Sequence, residues 1–132
     1  MKYVKKALNY AMDKHEGQKY SGKPFIMHPI QVAFIVETAV GKNDVMLSAA
    51  YLHDTMEDCG VTYEELKKEF NTEIADLVRE VTKTDYNTFP HLKTLNGVIL
   101  KFSDRLAHLS CVHLWDEERI QKYIEKSKFW KS

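Results

Sequence analysis

The sequence predicts an all-α fold, and three observations carry that expectation. Apolar residues recur at helical spacing along most of the chain, no stretch alternates convincingly enough for a strand, and there is no internal repeat or low-complexity segment. With 132 residues and 44% hydrophobic composition, the chain can bury one core and is too short to imply two. Residues 1–132 therefore read as a single compact domain.

Val4, Ala7, Leu8, Ala11 and Met12 follow the i, i+3, i+4, i+7, i+8 rule, which makes the opening segment an amphipathic helix ending near Lys14 or His15. The next stretch, GQKYSGKP, cannot continue it, because two glycines, Ser21 and Pro24 favour a turn-rich loop. Pro29 suits the first turn of a second helix through Val32, Ala33, Ile35 and Val36, which Gly41 is placed to stop. Asp44 can cap a third helix, VMLSAAYLHDTMED, whose small and apolar residues around Ala49, Ala50 and Leu52 point to deep burial. Gly60 breaks that run, and Thr62 with Glu65 forms a capping box for a fourth helix carrying Leu66 and Phe70 inward. A fifth spans roughly Thr72 to Val81, with Ile74, Leu77, Val78 and Val81 on one side. The irregular TKTDYNTFPH is the expected rim of any cleft. Leu92 to Leu109 reads helical again, with Asn96–Gly97 either a break or a close-packing point. Trp115 to Trp130 makes a final amphipathic helix, with Ile120, Tyr123 and Ile124 facing in.

Lys and Arg number 19, as do Asp and Glu, so no global field draws the protein toward nucleic acid or an anionic membrane. A polyanionic ligand would need a local patch, and Lys2, Lys5, Lys6, Lys14, Lys19 and Lys23 against Asp13 and Glu16 offer one near the start; a solvated helix face reads equally well. Cys59 and Cys111 form no C-x-x-C pair and read as reduced thiols. The charged opening lacks a signal-peptide core, and no apolar run approaches the roughly 20 residues of a membrane span, so a cytoplasmic location is expected.

His53–Asp54 is the sharpest local feature, since an adjacent imidazole and carboxylate near a helix end can lean toward one ion. It lies in an otherwise apolar helix, where an ionised Asp54 needs an ion or hydrogen bonds to compensate it. His28, beside Pro29, and Asp104, within the apolar run Val98, Ile99, Leu100, Phe102 and Leu106, sit in matching contexts. Two nitrogens and two oxygens without a thiolate suit a harder dication such as manganese, iron or magnesium better than structural zinc. The alternative is that His28 caps a helix and Asp104 pairs with Arg105. Glu57 shares a helix face with His53, and Glu57 and Asp58 together are placed to manage the protons of a water activated by a dication. A solvated acidic helix end is the plainer alternative, although the helix dipole disfavours negative charge there.

The segments HEGQKYSGKPFIMHPIQVAFIV, AAYLHDTMED, EFNTEIADLVREVTKTD and ILKFSDRLAHL resemble, in order, the motifs of the RelA/SpoT-type ppGpp hydrolase domain of the HD superfamily, from about Ala7 to Leu109. That resemblance implies an HD-type helical bundle of about seven to eight helices, with His28, His53, Asp54 and Asp104 as manganese ligands and Glu57 with Asp58 as the pair that orients and activates the attacking water. Chain length is similar to that of the stand-alone small alarmone hydrolases. The reaction implied is removal of the 3′-pyrophosphate of ppGpp in the stringent response, with a small-molecule nucleotide substrate.

The departures from the pattern concern the substrate more than the metal. Family members usually carry an Arg-Lys pair in the first loop, whereas this chain has Lys19–Tyr20 and is one residue shorter, which weakens a bidentate grip on phosphate. His108 replaces an Asn expected near the ribose and phosphates, and the segment between Lys83 and Lys101 is short. Arg119 and Tyr123 match positions on the last helix that approach the nucleotide. Lys19, Lys23, Lys101, His108, Arg119 and Tyr123 are thus the expected substrate-binding residues. Two alternatives stay open: another phosphorylated nucleotide as substrate, or a nucleotide sensor that has kept the pocket without turnover.

Overall fold

A helix with a single charged residue, Asp44, lies at the centre. In the computed structural model, which describes residues 1–20, 22–83 and 90–110 together with Glu118, Gln121 and Glu125, α3 (Asp44–Leu52) buries Met46, Leu47, Ser48, Ala49, Ala50 and Leu52. Small residues on several faces let neighbours approach closely. α1 (Val4–Lys14), α2 (Met27–Val40), α6 (Thr72–Val81) and α7 (Leu95–Leu109) all pack against α3, α2 also packs on α7, and α5 (Tyr63–Glu69) on α6. The resulting core holds Leu52, Leu66, Ile74, Val78 and Leu100, each essentially without solvent contact. Burying each such side chain contributes roughly 1.5–3 kcal/mol. Among the described residues, no helix is long and apolar enough to cross a membrane.

The all-α class holds, with seven described helices, and four boundaries differ from expectation for local reasons. Asn43, one residue earlier than expected, caps α3 by accepting from the Met46 amide at 3.0 Å, while Asp44 accepts from the Tyr3 amide at 2.8 Å and ties α1 to α3. The first loop contains a small antiparallel hairpin, β1 (Lys19–Tyr20) with β2 (Lys23–Pro24), where no strand was expected. Two residues per strand are too few to show alternation in a sequence. α2 begins at Met27, so His28 lies inside the first turn and makes no cap.

The most consequential difference is that the third helix does not run on to Asp58. It stops at Leu52, and α4 (Thr55–Asp58) restarts after His53 and Asp54. The His53 Nδ1 donates to the Ala50 carbonyl at 2.7 Å, and the Thr55 hydroxyl donates to the Leu52 carbonyl at 2.7 Å. Side chains compete there for carbonyls that a continuing helix would engage through its amides.

Asn96–Gly97 is a close-packing point. α7 starts at Leu95, three residues later than expected, and its first turn is held by Glu80 of α6. The Glu80 carboxylate accepts from the Lys93 and Thr94 amides, each at 2.9 Å, and from the Thr94 hydroxyl at 2.8 Å, while Thr94 Oγ1 accepts from the Gly97 amide at 3.0 Å. A Cβ at position 97 would stand 1.9 Å from Glu80 Oε2. Gly97→Ala should therefore displace this carboxylate and cost about 1–2 kcal/mol in urea unfolding, the scale of a lost cap. In a Glu80→Ala background the same substitution should cost far less, and equal costs in both backgrounds would refute the account.

Candidate metal centre

Three separate elements deliver polar side chains into an apolar interior. The first turn of α2 supplies His28, the break after α3 supplies His53 and Asp54, and the second half of α7 supplies Asp104. His28, His53 and Asp104 are 1%, 4% and 6% exposed, which is deep enough that each must be compensated. His28 Nε2 lies 2.8 Å from Asp104 Oδ1 and 3.6 Å from Asp54 Oδ2. His53 Nε2 lies 3.0 Å from Asp54 Oδ2 and 3.4 Å from Asp104 Oδ1. The four side chains thus form a closed ring of contacts.

This ring fits a divalent cation. The His53 Nε2 is buried and makes no hydrogen bond among the described residues, although two carboxylates stand within reach. It is close to them but misaligned, as ligands are when they converge on a common point and not on each other. Its Nδ1 donates to the Ala50 carbonyl, so whenever the ring is neutral its Nε2 lone pair points inward, the arrangement expected of a ligating histidine. Atoms about 2.1 Å from one ion stand roughly 3.0 Å apart at right angles and about 3.4 Å apart at tetrahedral angles. The four observed separations bracket those values. His28, His53 and Asp54 form one group with metal-ligand spacing, and His28, Asp104 and His108 a second that shares His28; the His53–Asp104 contact bridges the two.

The electrostatics agree. Burial favours an uncharged Asp104, but hydrogen bonds from His108 and His28, together with His53 close beside it, hold its pKa well below the usual carboxylate range. Burial also lowers the His28 pKa, against the pull of Asp104. For His53, burial is outweighed by the Asp54 charge and by Asp104, which raise its pKa well above the ordinary value. A proton on His53 and a dication therefore compete for the same two carboxylates.

Glu57 and Asp58 follow on α4, in different surroundings. Glu57 Oε1 accepts from the Lys83 amide at 2.8 Å and so holds the start of the segment expected as the rim. Partial burial, then the charges of Asp54 and Glu57, push the Asp58 pKa up to about 6; because the side chain still reaches solvent, water screens part of that repulsion. Two residues not singled out in the sequence position this end of α4. His15 Nδ1 lies 2.8 Å from Gln18 Oε1, and the Gln18 amide donates to the Asp58 carbonyl at 3.4 Å. The only sequence signal for them is their place in the H-x-G-Q stretch.

The expected substrate-binding residues are scattered more widely. Lys101 is buried, with Nζ 3.5 Å from Asp104 Oδ2, and His108 joins the centre through a 3.2 Å contact to Asp104 Oδ1. Lys23 is exposed on the hairpin opposite Tyr20. Lys19 lines a cavity of about 260 Å³ with Met12, His15, Gln18 and Phe25. Arg119 and Tyr123 lie outside the described residues, as do most of the expected final helix and the middle of the expected rim.

A buried two-histidine, two-aspartate centre on a helical bundle defines the class, and comparison with known proteins agrees. Residues 7–96 match the HD domain family, and the chain belongs to it. It is 34% identical over 140 residues to the human guanosine-3′,5′-bis(diphosphate) 3′-pyrophosphohydrolase MESH1, covering 90% of this chain and 77% of that protein. The Xenopus tropicalis MESH1 is 31% identical, with 92% and 79% covered. The guanosine-3′,5′-bis(diphosphate) 3′-pyrophosphohydrolase of Aquifex aeolicus is 32% identical over 94% of this chain, but the chain spans only 20% of its length. Among solved structures, a metazoan orthologue of SpoT that hydrolyses ppGpp superposes with a TM-score of 0.82 at 26% identity, covering 93% of this chain and 80% of that one.

The Asp58 shift makes stability pH-dependent. A carboxyl whose pKa rises on folding stabilises the protonated native state, so this contribution is complete below about 4 and is lost as pH rises through about 6. In the presence of chelator, Asp58→Asn should gain stability relative to the wild type between pH 5 and pH 8, read by urea unfolding. Parallel pH dependences for the two proteins would refute the assignment.

Proposed function

We propose that this chain, read as one phosphohydrolase domain over its 132 residues, removes the 3′-pyrophosphate of ppGpp or a closely related nucleotide, with manganese as its ion. The observation that carries the reading is the ring formed by His28, His53, Asp54 and Asp104, with the buried His53 Nε2 making no hydrogen bond among the described residues. The names of the relatives and the match to a ppGpp-hydrolysing structure support the substrate. An N, N, O, O donor set supports a hard six-coordinate dication such as manganese.

An ion bound there supplies Lewis-acid polarisation of a phosphoryl oxygen and lowers the pKa of the attacking water. Every other task falls to the chain. Asp58, at the end of α4 and near Asp54, accepts the proton of the water and can return it to the departing 3′-oxygen. Glu57 orients that water through the carboxylate oxygen not engaged by the Lys83 amide. Lys101 faces the phosphates from α7 with the edge of the His108 ring beside it, Lys19 and Lys23 draw them in from the hairpin, and Arg119 with Tyr123 completes the nucleotide contacts. The products are a nucleoside diphosphate and pyrophosphate.

The test is incubation of the purified protein with Mn²⁺ and a panel of phosphorylated nucleotides including ppGpp, with products separated by chromatography. Release of pyrophosphate from ppGpp is expected. Asp104→Asn and His53→Ala should lose both Mn²⁺ binding and turnover. Glu57→Gln and Asp58→Asn should keep Mn²⁺ and nucleotide binding while kcat falls at least about 100-fold, the usual scale of a lost general base. Nucleotide binding with no turnover by the wild type would overturn the enzymatic reading in favour of a sensor.

A further inference from the structure

Two of the places where this sequence departs from the alarmone-hydrolase pattern, Tyr20 in the first loop and His108 near the end of α7, touch each other across 88 residues of chain. The Tyr20 hydroxyl lies 2.5 Å from His108 Nδ1. On the far side of that imidazole, Nε2 stands 3.2 Å from Asp104 Oδ1, the same oxygen that His28 Nε2 approaches to 2.8 Å. The chemistry of the partners sets the direction of both bonds. A carboxylate only accepts, so His108 Nε2 carries the proton; a neutral imidazole then has its lone pair on Nδ1, so the phenol donates. The relay runs from the Tyr20 hydroxyl to His108 Nδ1, and from Nε2–H to Asp104.

The rings reinforce it. Tyr20 lies 4.9 Å from His28 with an interplanar angle of 35°, and His28 lies 4.3 Å from His108 at 31°. The hairpin in turn fixes Tyr20, through its pairing with Lys23 and the Phe25 amide donating to the Gln18 carbonyl at 2.9 Å. One phenol therefore bears on two of the four side chains assigned to the metal.

We infer that Tyr20 is a positioning residue of the metal centre: acting through His108 it fixes the Asp104 carboxylate, and its ring holds His28 in place. The inference rests on the reading of His28 and Asp104 as ligands. Hydrogen bonds behind a ligand typically matter 10–100-fold in metal affinity, which sets the scale of the test.

Mn²⁺ affinity would be measured by chelator competition on the wild type, Tyr20→Phe, His108→Ala and the double variant, with thermal melting followed by circular dichroism. Tyr20→Phe keeps the ring and should melt like the wild type, yet bind Mn²⁺ about tenfold more weakly. His108→Ala should lose at least as much, and the double variant should be no weaker than His108→Ala alone, because the proposed route from the phenol to the Asp104 carboxylate runs through the imidazole. An unchanged affinity in Tyr20→Phe, or additive losses in the double variant, would overturn the proposal. Independently of any ion, imidazole ¹⁵N spectra of the full chain should show His108 as the Nε2–H tautomer, assigned by its loss in His108→Ala. The Nδ1–H tautomer would overturn the relay and leave the Nε2 lone pair free to ligate. Failure of the wild type to bind Mn²⁺ would instead overturn the metal reading itself, and the tautomer result keeps the two failures apart.

Discussion

Two carboxylates held inside an apolar helical bundle are the constraint around which the rest is arranged. Asp104 is 6% exposed, and an isolated ionised carboxylate at that depth would be prohibitively unfavourable. It is tolerated because three imidazoles and the Lys101 ammonium surround it. Those partners come from the first turn of α2, the end of α3 and α7 itself, so satisfying one charge requires three helices to meet at one level. The packing of α2 against both α3 and α7 follows the same requirement.

The break between α3 and α4 is the local device that makes the meeting possible. A continuous helix would set His53 and Asp54 about 100° apart and carry Glu57 and Asp58 onward along the same axis. Surrendering two carbonyls to the His53 ring and the Thr55 hydroxyl turns both His53 and Asp54 toward Asp104. It also brings Asp58 close enough to Asp54 for their charges to interact, and Glu57 close enough to the Lys83 amide to accept from it.

Around this centre, the remaining contacts act at its margins. Gln18, held by His15, reaches the Asp58 carbonyl and so links the first loop to the end of α4. Glu80 and Gly97 anchor the start of α7, which determines how far along the helix Asp104 and His108 fall. The hairpin carries Tyr20 onto His28 and His108, closing one side of the cluster with aromatic surface. Centre, loop and helix start are separate structural problems solved by neighbouring residues.

Much of this was legible in the residues themselves. Helical spacing predicts α1, α5 and α6 nearly to the residue, because each has one apolar face, such as Ile74, Leu77, Val78 and Val81 on α6, and two of them carry an end signal as well: the GQKYSGKP loop after α1 and Thr62 before α5. Polar residues stranded in apolar runs mark His53, Asp54 and Asp104, since a buried charge demands a partner wherever the chain takes it. The interruption at His53–Asp54, the two-residue hairpin and the contact between Glu80 and Gly97 were not legible. Each depends on a side chain competing with backbone amides, or on residues far apart in sequence. Tyr20 illustrates the same division: its residue type and loop position are local facts, but its bond to His108 exists only because α2 and α7 lie side by side. Periodicity and unpaired charge are properties of a segment and can be read from it, whereas the convergence of segments is decided by packing, where the free energy of a contact depends on what the rest of the chain has brought within reach.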